Sequence, residues 1–157
     1  MVEGTVFLRL ADASDESLLL AWRNTPIIYE GYYTQNKPIG WEENEEWHAK
    51  RNQDRRQFVI MLKQDTSLRA IGGVTIAQRD YWSPEIGFSI GETTLWGQGY
   101  GREAVRLGLE WLKGEGYKHC HTTVLKKNER SIRLLKSLGF EYLGEARKGE
   151  IWMQREL

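Results

Sequence analysis

Apolar positions recur along this chain with a period that switches several times between two and about three and a half. Thr5–Leu10 alternates, which predicts an opening strand. Ser14-Asp15-Glu16 offers a cap and first-turn acids to a helix carrying Leu18, Leu19 and Trp22, and Pro26 closes that helix or opens the next. Residues 29–38 are aromatic and polar and read as a short helix followed by a loop, and residues 42–52 are a further helical stretch containing Trp47. Phe58 to Leu62, inside 57–63, reads as a strand, with a turn after it and a hairpin partner over 70–78. Tyr81-Trp82-Ser83-Pro84 interrupts the pattern before a short strand, Glu85–Ile90.

The strongest helix spans 99–113, where Val105, Leu109 and Leu112 fall at helical spacing and Gly114 and Gly116 stop it. A strand over 118–125 follows. A helix over 128–137 then carries Ile132, Leu135 and Leu138 on one side, and Gly139 ends it. Residues 140–146 and Glu150–Glu156 form a closing hairpin about Arg147-Lys148-Gly149. The order predicts an α/β (α+β) fold, a mixed sheet with helices on its faces. With 157 residues and no internal repeat, linker or low-complexity segment, a single domain over 1–157 is expected.

Charge changes the picture by subtraction. Lys and Arg number 22 and Asp and Glu number 22, so the chain lacks the basic footprint of a nucleic-acid partner. Cys120 is the one cysteine, which rules out an intramolecular disulfide and suits a reducing compartment. No basic start followed by an apolar run marks a secretory signal, and no stretch approaches the ~20 apolar residues that span a bilayer. A cytoplasmic protein without a membrane partner, monomeric or homodimeric, is expected. His119 and His121 alternate along a strand, but two imidazoles make an incomplete zinc site, so no metal is expected.

The chemistry concentrates after Glu85–Ile90. There the strand runs into Trp96-Gly97-Gln98-Gly99-Tyr100-Gly101 and then the long helix. Glycines let backbone approach a ligand, the first helical N–H groups lack internal partners, and the helix dipole adds positive potential. Together they form a pyrophosphate cradle, to which Arg102 can add charge. The Gly-x-Gly-x-Gly spacing is not that of a dinucleotide fold, and Gly101-Arg102 is not the Gly-Lys-Ser/Thr of a P-loop. A coenzyme A site remains, beside a tight turn that binds nothing.

Trp96 to Ala104, followed by Asn128-Glu129-Arg130-Ser131 and then by Leu138-Gly139-Phe140, resembles the GNAT acetyltransferase superfamily. Glu85-Ile86-Gly87-Phe88, Trp96-Gly97 and Glu103-Ala104 are similar to its ribosomal-protein N-acetyltransferase-like branch. Trp22-Arg23-Asn24, Ile39-x-Trp41 and Glu46-Trp47 also look like acetyltransferases of nucleotide-linked amino sugars, such as the pseudaminic-acid pathway enzyme.

The resemblance implies a mostly antiparallel sheet of about six to seven strands and about four helices, with strands splayed at the cofactor cleft. It also implies acetyl-CoA as co-substrate and direct transfer to a primary amine, whether a protein N-terminus, an amino sugar or another small amine. The cofactor would lie along Phe88, Ser89 and Ile90, on Gly97, Gln98, Gly99, Tyr100, Gly101 and Arg102, and against Asn128 and Ser131. A backbone N–H near Phe88 or Ser89 would receive the oxyanion. Glu85 is the first candidate for the base, ahead of Glu30, Glu92 and His48.

Two positions depart from the family pattern. Trp96 opens the loop where Arg or Gln is common, and Leu135 stands where many relatives carry an acidic tyrosine, which leaves Ser131 or solvent to meet the thiolate. Trp22, Arg23, Glu30, Tyr32 and Trp41 are the acceptor-side candidates, an aromatic set with a guanidinium that can stack a ring or sugar and pair a phosphate. The alternatives are an inactive acetyl-CoA-binding sensor and a nucleotide-binding module unrelated to coenzyme A.

Overall fold

The computed structural model describes residues 4–32, 35–51, 55–78 and 83–157, with the side chains of 47–51 outside that description. Tyr33, Trp82 and the side chains of Trp47 and His48 therefore lie outside the described residues. The elements run β1 (Thr5–Leu10), α1 (Glu16–Arg23), α2 (Pro26–Tyr29), α3 (Trp41–Arg51), β2 (Arg55–Gln64), β3 (Ser67–Ala77) and β4 (Glu85–Ile90). They continue with α4 (Tyr100–Gly114), β5 (His119–Leu125), α5 (Glu129–Ser137), β6 (Glu141–Arg147) and β7 (Glu150–Glu156). The strands form one seven-stranded sheet in the order β1-β2-β3-β4-β5-β7-β6. Neighbours are antiparallel except β4 and β5, which run parallel.

Five α-helices appear among the described residues, where the resemblance implies about four. The second, α2, is a single turn that begins at Pro26 rather than near Tyr29. Proline at the first helical position has its φ preset and its missing N–H costs nothing there, a local effect too short to leave a period. Arg147 belongs to β6 rather than to the hairpin turn. Its guanidinium donates from Nε and Nη2 to Oε1 of the buried Glu150 at 3.0 and 2.8 Å, and this pins the strand to its last residue.

The cap before α1 also differs from the expected Ser14. Asp12 accepts from the Ser14 backbone N–H at 2.9 Å, while Asp15 accepts from the Asp12 N–H at 2.9 Å, closing a capping box around a 3-10 turn. Arg9 of β1 grips both oxygens of Asp15 at 2.8 Å and holds its carboxyl below the usual carboxylate range. A folded pKa below the unfolded value of about 4 means stability that is present at neutral pH and lost as pH falls through the folded value. Asp15→Asn is expected to cost about 1 kcal/mol in urea denaturation at pH 7, solvent on the Arg9 side keeping it low. The difference from the parent should vanish near pH 2.

Helix α4 carries the core. Tyr100, Ala104, Val105, Gly108, Leu109 and Leu112 are buried along one face, packed on β1, β3 and β4. A Cβ at Gly108 would stand 2.8 Å from Ile86 Cδ1, so glycine sets how closely the helix approaches β4. A bulge beside Ile60 and Met61 leaves Ile71 out of the ladder, and its carbonyl accepts from Gly91 N–H at 2.8 Å, tying down the far end of β4.

Candidate active site

The site is built around a gap in the sheet. β4 and β5 share one register pair, Glu85 with His121, and part beyond it. His121 N–H donates to Pro84 C=O at 3.0 Å, so Pro84 directs its backbone toward β5. Strand alternation then directs the backbone of Ile86 and Phe88 the same way, and Phe88 lies past the last pairing. Its N–H then faces the gap. Side chains alternate too: Ile86, Phe88 and Ile90 face α4, whereas Glu85, Gly87 and Ser89 share the opposite face of the sheet.

A cleft of about 340 Å³ lies on the cofactor side. Phe88, Ser89, Ile90, Gly97, Gly99, Tyr100, Gly101, Arg102, Asn128 and Ser131, all expected at the cofactor, line it. Gly97 and Gly99 take φ of +79° and +92°, and Gly99 caps α4 in the left-handed region. A Cβ at Gly97 would have no atom within 4 Å, so the cradle is open on that side. The first-turn N–H groups of α4, which have no partner within the helix, and these glycines fit a pyrophosphate. Gln98 is the exception, because its amide donates to Thr94 C=O at 3.2 Å and its side chain does not line the cleft. The Tyr100 ring is buried in the core, 1% exposed.

Two cationic groups border the cleft, and they differ. Arg102 donates from Nε to Ser137 Oγ at 3.1 Å and from Nη2 to the Ser137 carbonyl at 3.4 Å, which ties α4 to α5. Arg130 lies over the Trp96 ring with its guanidinium carbon 5.3 Å from the centroid. Trp96 Nε1 donates to Ile90 C=O at 2.8 Å, so the unusual tryptophan fastens the loop to the end of β4 and gives Arg130 a platform. The sequence reading placed charge at Arg102 and missed Arg130, whose signal was only its position inside the Asn-x-x-Ser motif. Arg130→Ala is expected to raise the acetyl-CoA Kd by about tenfold, as for one charged contact, and Arg102→Ala by less. Calorimetric titration of the two variants checks the order.

A second cleft, of about 320 Å³, opens on the other side of β4. Glu85 is in its wall, its side chain 24% exposed, with Oε2 3.7 Å from His121 Nε2. Trp22, Arg23 and Tyr32, three of the acceptor-side candidates, also line it. Trp22 packs flat on Gly91, where a Cβ would come within 2.1 Å of the indole. Arg23 donates from Nε to the buried Gln35 at 2.8 Å, and burial brings its pKa down to about 10. Glu30 is exposed and Trp41 is 43% exposed with its indole N–H on Glu45 at 2.7 Å, and neither lines a cleft. Glu92, another candidate base, lies outside both linings. Asn44, Arg55 and Glu150 join the wall without having been read from the sequence, since residues far apart in the chain give no local signal.

The two clefts meet at Ile28, Gly31, Tyr32, Phe88, Ser89, Asn128 and Ser131. Asn128 caps α5, accepting from Ser131 N–H at 3.2 Å, which fixes Ser131 at that junction. Leu135 is buried and lines the second cleft, with no proton to give. Cys120 is buried and its thiol is pushed up to about 12, so it is not a thiolate at neutral pH. No cluster of three metal-ligating side chains occurs among the described residues, and no helix among them is long and apolar enough to cross a membrane.

The acetyltransferase (GNAT) domain model matches residues 5–141. An uncharacterized protein of Methanocaldococcus jannaschii is 40% identical over 148 residues, 94% of this chain and 30% of that protein, so the chain spans less than a third of the curated relative it matches. The crystal structure of a domain from Methanocaldococcus jannaschii DSM 2661 superimposes with a TM-score of 0.94 at 39% identity, covering 99% of this chain and 100% of that one. A spermidine N-acetyltransferase from Vibrio cholerae, in complex with CoA and spermine, shares the fold at a TM-score of 0.83 and 19% identity, over 96% of this chain and 95% of that one. With a glycine cradle at the start of α4, strands that part at Glu85 and a family match from β1 into β6, the chain belongs to the GNAT acetyltransferase family.

Proposed function

We propose that this chain moves the acetyl group of acetyl-CoA to a primary amine by direct attack, the amine entering through the cleft that Glu85 lines. The observation that carries this reading is the meeting of the two clefts where β4 and β5 have parted, at Phe88, Ser89 and Ser131. Bound acetyl-CoA supplies a thioester carbonyl, at which a C–N bond forms and a C–S bond breaks. Glu85 takes the proton from the acceptor ammonium, directly or through water, so that nitrogen has a lone pair to attack with. Phe88 N–H receives the charge that develops on the carbonyl oxygen. Ser131, at the junction, donates a hydrogen bond to the departing sulfur, and the second proton that nitrogen sheds as the amide forms reaches the thiolate through solvent, since Leu135 has none to give.

The acceptor is a protein N-terminus, an amino sugar or another small amine. Trp22 offers a ring face and Arg23 a half-buried cation, which suits an amino sugar or an amine that carries oxygen groups. Release of free thiol from acetyl-CoA, measured across peptides, amino sugars with and without phosphate, polyamines and aminoglycosides, tests the reading. Turnover of at least one class is expected. Tight acetyl-CoA binding with no turnover in any class would mark the chain as a sensor instead.

A further inference from the structure

A buried polar group lies directly under the proposed base. His121 is 0% exposed, at the one register position where β4 and β5 still pair. Its Nδ1 is 2.8 Å from Ser83 Oγ, in the segment leading into β4, and its ring centroid is 5.0 Å from that of Trp152 on β7. Its Nε2 faces Glu85 Oε2 at 3.7 Å. A fully buried imidazole beside Glu85 and behind the cleft wall, held from one side and turned to a carboxylate on the other, is more than core packing requires.

We propose that His121 is a positioning residue for proton transfer, held by Ser83 so that its Nε2–H faces Glu85 and keeps that carboxylate ionised and aimed into the acceptor cleft. This rests on the reading of Glu85 as base. One electrostatic argument fixes the tautomer. A lone pair on Nε2 would face carboxylate oxygen and repel it, whereas an N–H there attracts it. Ser83 then donates its hydroxyl proton to Nδ1, which leaves that nitrogen an acceptor. The proton from the acceptor ammonium ends on Glu85, and His121 neither gains nor loses one. Arg23, Arg55, Arg147 and Glu150 are the other charged groups that line this cleft, and they are common to every variant below.

Two substitutions separate the ring nitrogens. A glutamine amide reaches about as far as Nε2 and keeps a donor toward Glu85, whereas an asparagine amide reaches only as far as Nδ1 and removes it. His121→Asn is expected to move the acid limb of the kcat/KM profile up by about half a pH unit, because the 3.7 Å contact is a charge–dipole attraction longer than a hydrogen bond, while leaving acetyl-CoA affinity unchanged. His121→Gln should return the limb to the parent position. If the limb stays put in a folded His121→Asn protein, the proposal is overturned. On the parent protein, long-range proton–nitrogen spectra read the tautomer without any substitution at His121. Neutral Nε2–H, with a resonance that moves in Glu85→Gln, supports the proposal, and Nδ1–H overturns it.

Glu85→Gln distinguishes the two levels of failure. An acid limb that keeps the parent position and amplitude in Glu85→Gln removes the base itself and this proposal with it. A limb that gives way in Glu85→Gln to the acceptor amine's own titration, but does not move in His121→Asn, removes the role of His121 alone.

Discussion

Glu85→Gln is expected to lower kcat/KM by about 10²- to 10⁴-fold, the range for removing a general base, with acetyl-CoA affinity at the parent value. The amide has the shape of the carboxylate and keeps the packing at the start of β4, so the loss reports proton transfer rather than folding. Glu85 is placed for this role by three features: its position where β4 and β5 begin to part, its place in the wall of the acceptor cleft, and its half-buried side chain. The residual rate should rise with pH, because raising the fraction of free amine in solution replaces the missing base. A variant with the parent rate at every pH would remove Glu85 from the mechanism, and none of the other acids singled out from the sequence lines the cleft in its place.

The second large effect is expected at the cradle. Gly99 sits at φ +92° and ψ 0° as the N-cap of α4, a conformation that a β-branched residue reaches only under strain. Gly99→Val therefore costs about 1–3 kcal/mol unless the peptide rotates, and rotation turns the first-turn N–H groups away from the pyrophosphate. Either way the acetyl-CoA Kd should rise by about 10- to 100-fold, read by calorimetry. The core face of α4 begins at Tyr100 and is not touched, so the loss of Tm should stay within a few degrees per kcal/mol. Binding as tight as the parent would show that the cradle is not what holds the cofactor.

The cofactor half of the site was legible in the sequence because it is local. Gly97, Gly99 and Gly101 lie within one turn, and the conformations they permit follow from having no Cβ. Asn128 and Ser131 are three residues apart and make one cap. Where the reading slipped, the reason was also local chemistry read without its partner. Arg102 was assigned to phosphate, but Ser137 takes its Nε and Nη2. Gln98 was assigned to the cofactor, but it turns to Thr94. Trp96 looked like a lost phosphate ligand, whereas its indole holds the loop to Ile90 and carries Arg130.

The acceptor half was only partly legible. Trp22, Arg23 and Tyr32 reach the cleft, whereas Trp41 and Glu30 do not, although all five come from the same stretch of chain. Helices α1, α2 and α3 meet the sheet at angles set by packing, and a composition of aromatics does not say which ones turn inward. His121 shows the same limit. On the chain it is half of an alternating pair, and its burial against Ser83, Glu85 and Trp152 depends on β7 pairing with β5 and on β4 running parallel to it.

By itself the sequence determined the order of the elements, the glycine turn at the head of α4 and the Asn-x-x-Ser cap, because each depends on residues within a few positions of one another. The tertiary structure alone decided that β4 and β5 part after Glu85 and His121, which clefts result and which side chains face them. Those features depend on contacts between segments tens of residues apart, whose pairing no local period encodes.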